Sequence, residues 1–554
     1  MHQKRNWHPS KTSIFLLLGA LLSLSLAGCG AKGSDAASKN SNASGSAAYE
    51  NSASASSEEI DANADKESAG KTQLVYGSGD YTRINPAMDE HGEINLLLFN
   101  GLTAHDGNNQ VIPGLAESWD FDEATTTYTF HLRDGILWHD GTPFTADDVN
   151  FTIEAIMNPE NGSENAPNFE DVEAINIADD HTISFQLTAP NVAFLDYMTM
   201  PILPKHLLEG EDMQTSDFFR HPIGTGPYKL VRWDEGQAIT LEKNADYFRG
   251  APKIDRVIFK IVPDDNAKAL QLRSGELDLA QLTPKDAQTF QKADGFTHYD
   301  MKTADYRGIL FNFANPYWQK NRDLIPAVCY ALDREAIIKA VLLGQGMPAY
   351  GPLQRNLYNN EAVEHYDYNP EKAEQILKDA GCEKQSDGFY YRNGEKVGFT
   401  ITVAQGDQVR SDIAQIAAQE LREIGMDVRV DIPTEVDWAG QMAYLIGWGS
   451  PFDADDHTYK VFGTGKGANY SSYSNKDVDR YLTEARSSDD PAVRKEAYAK
   501  FQEALAKDPA FAFICYIDAN YVAKSNIQGI NPDTVLGHHG VGIFWNIADW
   551  EIAG

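Results

Sequence analysis

In the second half of the chain, helices, glycines and strands follow one another in a repeated order. Amphipathic helices are predicted at residues 333–343, 369–380 and 411–424, and they are stopped by Gly344, Gly381 and Gly425. Glycine often ends a helix because it adopts the left-handed backbone conformation at little cost. After Gly425 the chain directly enters a predicted strand at 426–430. This order predicts an α/β fold rather than an all-β fold.

The remainder of the folded body shows the same mixture. Apolar or alternating residues predict strands at 73–76, 128–132 and 309–313, and further helices are predicted at 146–157 and 491–506. Thr145 is the predicted N-cap of the helix at 146, with Asp148 reaching back to it. The pattern restarts near residue 304. We therefore predict two lobes, one formed by 72–303 with 519–554 and the other by 304–518.

The N-terminus has the organisation of an export signal. Basic residues precede an apolar run at 14–27, which at about 14 residues is too short to span a membrane. The run ends in Leu26-Ala27-Gly28-Cys29, a typical lipobox, so we predict a signal peptide at 1–28 and lipidation of Cys29. The segment 29–71 is rich in Ser, Ala, Asn and Gly and predicts a disordered tether. The mature protein is expected outside the cytoplasm, anchored by lipid to the cell membrane.

Charge and motifs exclude several classes of function. Asp and Glu outnumber Lys and Arg by 81 to 47, a net charge of −34 that disfavours binding to nucleic acid. The sequence has no H-E-x-x-H, G-x-S-x-G, Walker or dinucleotide-binding motif, and the glycine-rich segment 463–467 lacks the context of a phosphate loop. Cys329, Cys382 and Cys515 are expected to be small buried side chains. We predict that the protein is not an enzyme.

A series of short motifs runs along the body in a fixed order. They include Tyr-Gly-Ser-Gly at 76–79, Gly-Leu-Ala-Glu-Ser-Trp at 114–119, Ile-Gly-Thr-Gly-Pro-Tyr at 223–228, Asn-Ala-Asp-Tyr-Phe at 244–248 and Asn-Pro-Glu-Lys-Ala at 369–373. We interpret the glycines of the segment 224–227 as supplying the backbone freedom of a tight turn. In this order, behind a lipobox and tether, the motifs resemble the family 5 extracellular solute-binding proteins, which are the dipeptide, oligopeptide and nickel receptors of ABC importers.

The resemblance implies a two-lobed periplasmic-binding-protein-like fold (type II, cluster C), with an extra subdomain on the first lobe at about 90–225. It also implies a monomer that closes on a small peptide or a nickel chelate and delivers it to an ABC permease and ATPase complex. No cofactor is implied, and nickel would be a transported ligand. Two alternatives remain: a surface peptide-sensing receptor or chaperone without transport, and a secreted hydrolase.

The segment 445–459 carries the information on the ligand. Peptide receptors of this family place an aspartate three residues after a Gly-Trp pair to bind the peptide ammonium, and here Pro451 follows Trp448 at that spacing. The segment instead resembles the nickel-receptor pattern Trp-Gly-small-Pro-aromatic-Asp, except that its histidine, His457, lies two residues further on. Three interpretations stay open: Asp453, Asp455 or Asp456 contacts an amine, His457 contacts a nickel chelate, or the acidic residues cap a helix.

Other residues are candidates for the same site. Tyr81, Arg83 and His91 follow the first strand, and Tyr306 and Arg307 lie at the predicted crossover between the lobes. An arginine there can bind a carboxylate through two hydrogen bonds. The pair His538-His539 beside Gly540 is interpreted as structural.

Overall fold

The structure is a computed structural model in which residues 71–88 and 92–554 are described. The predicted signal peptide, Cys29, nearly all of the tether, and His91 lie outside these residues. Within the described ranges, no helix combines the length and the apolar character that are needed to cross a membrane.

The described chain alternates strands with mostly short helices. The strands are Gln73–Ser78 (β1), Thr103–His105 (β2), Val111–Pro113 (β3), Ala116–Asp122 (β4), Thr127–Leu132 (β5), Val172–Asp179 (β6), Thr182–Leu187 (β7), Tyr228–Asp234 (β8), Ala238–Lys243 (β9), Arg256–Ile261 (β10), Leu279–Leu282 (β11), Phe296–Phe311 (β12), Gly346–Pro348 (β13), Glu383–Lys384 (β14), Tyr390–Arg392 (β15), Glu395–Lys396 (β16), Thr400–Thr402 (β17), Arg429–Asp431 (β18), Ala443–Trp448 (β19), Phe511–Lys524 (β20), Ile527–Gln528 (β21) and Glu551–Ile552 (β22). The α-helices are Asn95–Leu98 (α1), Ala146–Met157 (α2), Phe194–Tyr197 (α3), Lys205–Leu208 (α4), Asp265–Ser274 (α5), Pro284–Gln288 (α6), Pro316–Asn321 (α7), Ile325–Tyr330 (α8), Arg334–Val341 (α9), Pro370–Asp379 (α10), Gln408–Glu423 (α11), Tyr459–Phe462 (α12), Lys476–Arg486 (α13) and Pro491–Lys507 (α14). Short 3₁₀ turns lie at Ala166–Phe169, Asp217–Arg220, Arg322–Leu324, His538–Gly540 and Ile543–Asp549.

One large mixed sheet runs through the described body. Its order is β18-β17-β19-β12-β20-β11-β1-β10-β9-β8, and β13 pairs with β20. The two long central strands, β12 and β20, are antiparallel to each other. At one end 296–302 pairs with 518–524, and at the other 306–310 pairs with 511–516; the register is irregular between Lys302 and Tyr306. These two strands therefore connect the two halves of the body.

The buried apolar side chains divide at this irregular step. One large cluster in the described chain runs from Tyr306 to Tyr516. A second combines residues between Leu74 and Met301 with residues between Ala519 and Trp550. Each half thus has its own core, as the burial of apolar surface in a folded unit requires. We name them the first core (74–301 with 519–550) and the second core (306–516).

A separate four-stranded sheet of the described chain, β4-β5-β7-β6, packs beside α2. The predicted start of α2 is confirmed: Asp148 accepts a hydrogen bond of 3.0 Å from the backbone N–H of Thr145. Asp148 is buried, and its other oxygen accepts a bond of 2.9 Å from the backbone of Lys205. One carboxylate thus stabilises the N-terminus of α2 and connects it to α4.

Two local predictions have wrong boundaries. The helix predicted from 411 begins at Gln408, because Asp407 caps it with a bond of 2.8 Å from Arg410 N–H. The strand predicted at 309–313 is the final part of β12, which begins at Phe296. The first half of β12 was not predicted because its residues are largely polar and show no apolar pattern. Pairing with β20, rather than hydrophobicity, defines the strand there.

The glycines of the Gly224–Gly226 segment are explained by close contacts and not by backbone conformation, because neither glycine has a positive φ. A Cβ on Gly224 would lie 1.8 Å from the carbonyl oxygen of Leu98, and one on Gly226 would lie 2.3 Å from that of Leu97. The predicted reason for these glycines, backbone freedom, is therefore wrong. They are needed because the segment lies directly against the end of α1.

We expect Gly224→Ala to lower the free energy of unfolding by about 3 kcal/mol, because a methyl group cannot fit against the backbone of α1. Urea denaturation followed by circular dichroism measures the loss. Gly79→Ala is the control, since a Cβ there meets nothing within 4 Å and should change stability by less than about 1 kcal/mol. Equal effects at both positions would contradict the explanation.

Candidate functional site

A buried carboxylate marks the step between the two cores. Asp305 lies in β12 where its pairing with β20 is interrupted, and its side chain is fully buried. One oxygen accepts hydrogen bonds from Nη1 of Arg307 and from Nδ1 of His538, the latter at 2.9 Å. Burial by itself would raise the pKa of Asp305, but the Arg307 guanidinium and the His538 imidazole hold this pKa well below its ordinary value. Asp305 is therefore an ionised carboxylate.

The partner of Asp305 is a turn near the C-terminus, Gly537–Gly540. The backbone N–H of His539 donates to the second oxygen of Asp305 at 3.0 Å, so one carboxylate binds two consecutive residues. His539 has φ 57, a left-handed conformation that non-glycine residues adopt mainly under constraint. Because an ionised carboxylate only accepts hydrogen bonds, Nδ1 of His538 carries a proton and donates it to Asp305.

The three side chains form a possible metal-binding group. Donor atoms of Asp305, His538 and His539 all lie within 4.8 Å of one another. His539 is an exposed residue, but desolvation and the nearby His538 lower its pKa to about 3. Its imidazole is therefore neutral at physiological pH, which is the form that binds divalent metals such as nickel.

Aromatic rings border this group on the side of the second core. The indole of Trp448 stacks on His538, with centroids 6.3 Å apart and planes 27° apart, and on Tyr470 at 5.9 Å. Tyr470 in turn lies 5.1 Å from Trp438, and both of these side chains are about 45% exposed. His457 meets the edge of Trp448 at 5.3 Å. The aromatic wall, defined as Trp438, Trp448 and Tyr470, offers flat apolar faces to a ligand.

Two guanidinium groups accompany the carboxylate. Arg307 is 3% exposed, and Arg410 from α11 forms an ion pair of 3.1 Å with Asp407. Burial lowers the pKa of Arg410, and the positive charge of Arg307 lowers it further, so the two cations lie close to each other. Among the described residues, the buried Nε of Arg307 and Nε1 of Trp448 have no hydrogen-bond partner. These two donors can bind oxygen atoms of a ligand.

The acidic loop 451–457, in contrast, is engaged within the protein. Asp453 binds Nη2 of Arg494 at 2.6 Å and also accepts from the backbone of Asp455 at 2.8 Å. Asp455 is fully buried and binds Nη2 of Arg486 at 3.0 Å; burial raises its pKa to about 6. Nδ1 of His457 lies 3.2 Å from the backbone N–H of Gly449, from which it can accept a bond.

The same loop contacts the first core. The hydroxyl of Tyr197 donates to Asp455 at 2.7 Å, and Arg486 also binds Asp171 at 3.1 Å. Phe452 stacks on His105 with centroids 3.8 Å apart and planes 5° apart. Arg486 thus links Asp171, in the half of the chain that forms the first core, to Asp455 in the acidic loop. The bridge, defined as Arg486, Asp455, Asp171 and Tyr197, joins the two halves.

The structure therefore separates the residues chosen from the sequence into groups. Arg307 and Trp448 contact Asp305 and His538, and His457 packs against the edge of Trp448. Asp453 and Asp455 lie in the ion-paired loop. Tyr306 is fully buried in the second core, 5.1 Å from the ring of Phe513. Tyr81 packs against Phe259 in the first core, where burial raises its pKa to about 12. His91 is not described.

Sequence reasoning missed Asp305, His539, Arg410 and the exposed rings of Trp438 and Tyr470, and it assigned His538-His539 to structure. The only local signal was a histidine pair next to glycine. Asp305 and His538 are 233 positions apart, so their contact has no signature in a single sequence.

Beneath the histidine turn lies a second buried acid, Glu93, which is 6% exposed. Its Oε1 accepts from the backbone of Gly542 at 2.9 Å and lies 3.3 Å from the hydroxyl of Tyr521, which lies 3.1 Å from the carbonyl of Gly540. Burial raises the pKa of Glu93 from 4.5 to about 7, against the effect of these hydrogen bonds. Glu93 therefore supports the segment that carries His538 and His539.

This shift predicts a pH-dependent stability. A carboxyl whose pKa is raised by folding is protonated more readily in the folded state, so its stabilising contribution is complete below the unfolded-state value and is lost as the pH rises through the folded-state value. As the pH rises from 4.5 to 7, the wild-type protein should lose about 3 kcal/mol of unfolding free energy relative to the Glu93→Gln variant, which has no titrating group at this position. Denaturation of both proteins at a series of pH values measures this difference; a pH-independent difference would contradict the raised pKa.

Two α/β cores joined by two long strands, with a charged and aromatic site at the junction, define the class of two-lobed solute-binding proteins. Comparison with known proteins agrees. The model of "Bacterial extracellular solute-binding proteins, family 5 Middle" matches residues 110–472, so the chain belongs to the family 5 extracellular solute-binding proteins. The resemblance and the fold class predicted from the sequence are confirmed.

Several relatives show what this family binds. The oligopeptide-binding protein AppA of Bacillus subtilis is 31% identical over 520 residues, which cover 88% of this chain and 94% of AppA. The crystal structure of NikZ from Campylobacter jejuni in complex with Ni(L-His) has a TM-score of 0.80 and 36% identity, covering 87% of this chain and 99% of NikZ. That of Bacillus subtilis AppA with a nonapeptide has a TM-score of 0.77 and 29% identity, covering 87% and 100%.

These relatives are substrate-binding proteins rather than enzymes. The chain is thus a substrate-binding protein of the class that serves peptide and nickel ABC transporters, and its family functions outside the cytoplasm with an ABC permease and ATPase.

Proposed function

We propose that this protein captures a nickel chelate, of the nickel–histidine type, between its two lobes and delivers it unaltered to an ABC permease. The observation that carries the proposal is the grouping of His538 and His539 with Asp305 at the junction of the two cores. Imidazole nitrogens suit nickel, and a carboxylate on the far nitrogen of a histidine fixes its orientation and raises its basicity. Asp305 occupies that position toward His538.

The remainder of the site suits a chelator that carries carboxylates. Arg307 and Arg410 provide positive charge, and Nε of Arg307 and Nε1 of Trp448 supply donors that are unused in the described chain. The aromatic wall can pack against a flat imidazole ring of the chelator. The similarity to NikZ with Ni(L-His) supports the same ligand chemistry.

A peptide is the second candidate, favoured by the match to AppA over 88% of the chain. The site gives it less support, because the position of the family's amine-binding aspartate holds Pro451, and Asp453 and Asp455 are already paired with arginines. Breaking those buried pairs to bind an ammonium group would leave an arginine without its partner, which costs several kcal/mol.

The proposal includes the domain organisation of the chain. Lobes formed by 72–303 with 519–554 and by 304–518 would move about the irregular step in β12 near Lys302 and its partner in β20, with the subdomain at about 90–225 on the first lobe. The bridge of Arg486 would form in the closed state, which the ligand favours through its greater affinity for that state. Lipidation at Cys29 would keep this monomer near its permease. We propose no chemical change to the ligand.

Calorimetry on the purified protein tests the proposal. Nickel with a twofold excess of L-histidine is titrated into the protein, with nickel alone, L-histidine alone and a dipeptide and nonapeptide mixture as parallel arms. We expect saturable binding of the nickel–histidine complex, at least tenfold tighter than that of nickel alone. Binding of peptides without any binding of the complex would overturn the nickel assignment. Mass spectrometry of the recovered ligand tests for cleavage, and cleavage would favour the hydrolase alternative.

A further inference from the structure

A cavity of about 440 Å³ lies in the second core, and it shares no residue with the site at Asp305. Its wall combines apolar side chains, including Val363, Leu505 and Phe513, with the guanidinium of Arg334. The volume falls within the range of small-molecule sites in proteins. Nothing in the capture of a ligand between the lobes uses this cavity.

Arg334 is 3% exposed, and backbone carbonyl groups bind it. Its Nε donates to Phe513 at 2.9 Å and to Ala349 at 3.0 Å, and its Nη1 donates to Tyr366 at 2.6 Å. Among the described residues, Nη2 makes no hydrogen bond, and no carboxylate lies within 4.0 Å of the guanidinium. Burial lowers the pKa of Arg334. Buried charges in proteins are ordinarily paired in direct contact, whereas the carboxylates that act on Arg334, Asp367 and Glu420, do so from beyond ion-pair distance, so the guanidinium has no directly bound counter-ion.

The other side chains that line the cavity indicate which shape and polarity of ligand would fit. The ring of Tyr350 lies 4.9 Å from the guanidinium and stacks on His365, with centroids 4.1 Å apart and planes 3° apart. The acidic residue of the lining, Glu361, is exposed. A ligand that fits would thus place an anionic group at Arg334 and an apolar, flat body against the aromatic and aliphatic walls.

We propose that this cavity is a second binding site, specific for small organic carboxylates that carry an aromatic or apolar body. The carboxylate binds Nη2 of Arg334 and supplies the missing counter-ion, while the body displaces water from the apolar walls. The site is independent of the ligand bound between the lobes, so the two can be occupied at the same time.

Benzoate and its uncharged isostere benzamide are suitable probes, titrated calorimetrically into the full protein. We expect benzoate to bind at least tenfold more tightly than benzamide. Val363→Phe, which fills the cavity and leaves Arg334 in place, should weaken benzoate at least tenfold. The same change at Val493, an exposed position on α14, is the matched control and should have no effect. Titrating the nickel–histidine complex into Val363→Phe should give the wild-type affinity.

A second variant examines the charge. Arg334→Gln should remove the preference for benzoate over benzamide. If Arg334→Gln does not fold, Val363→Phe alone tests the proposal. Failure of benzoate to bind, or equal binding of benzamide, would overturn the proposal and leave Arg334 as a structural arginine only. Loss of benzoate binding when the nickel complex is present would also overturn it, because it would place benzoate between the lobes.

Discussion

The double variant His538→Ala/His539→Ala should bind the nickel–histidine complex at least about 100-fold more weakly than the wild-type protein. Loss of a residue that only supports a metal ligand already costs 10- to 100-fold, and this variant removes two imidazoles from the group around Asp305. Calorimetric titration of the complex measures the loss. We expect the thermal stability to fall as well, because the variant also removes the hydrogen bond from His538, whose side chain is 9% exposed, to the buried carboxylate of Asp305.

Two further variants separate binding of the ligand from support of the turn. Asp305→Asn keeps the shape of the side chain but weakens its hold on His538, so we expect a loss of about 10- to 100-fold. His221→Ala is the control, since its side chain is 73% exposed and it does not belong to the group around Asp305. An unchanged affinity in the double variant would exclude the histidine pair from the site, whatever the ligand.

Arg486→Met should lower the free energy of unfolding by about 3–5 kcal/mol, which is the usual effect of removing one partner from a buried ion pair. Asp455 is fully buried and would lose its cation, and Asp171 on the other side of the bridge would lose the same partner. Chemical denaturation measures the change. Arg480→Met on the same helix is the control, because its pair with Asp477 is exposed and should be worth less than about 1 kcal/mol.

The companion change Asp455→Asn tests the cause. If the cost arises from an uncompensated buried carboxylate, the double variant Arg486→Met/Asp455→Asn should recover part of the lost stability, since the amide carries no charge. Equal losses in Arg486→Met and Arg480→Met would show that the bridge contributes no more than a surface pair.

Local elements were predicted well where a few neighbouring residues define them. Asp148 and Thr145 were recognised as a helix start because a capping box lies within four residues. Pro370–Asp379 was predicted nearly to the residue, since Asn369 caps it and Gly381 ends it. The family resemblance followed for the same reason: its motifs are short and their order along the chain is visible.

The site was predicted less well, because its parts are distant in sequence. Arg307 and Trp448 were selected from adjacent strands and do lie together, through the pairing of β12 with β19. Asp453 and Asp455 looked like candidates for a ligand amine, but Arg494 and Arg486, on later helices, occupy them. A carboxylate available to a ligand and one buried in an ion pair have the same appearance in a sequence.

The order of residues by itself determined the α/β class, the ends of helices and membership of the solute-binding family, because each depends on contacts within a few positions of the chain. Only the tertiary structure decided which charged side chains are paired within the protein and which are available to a ligand. That choice depends on burial and on partners that lie elsewhere in the chain. Asp305 is ionised because Arg307 and, 233 positions away, His538 bind it in the protein interior. Asp453 and Asp455 belong to the framework because Arg494 and Arg486, on later helices, pair with them.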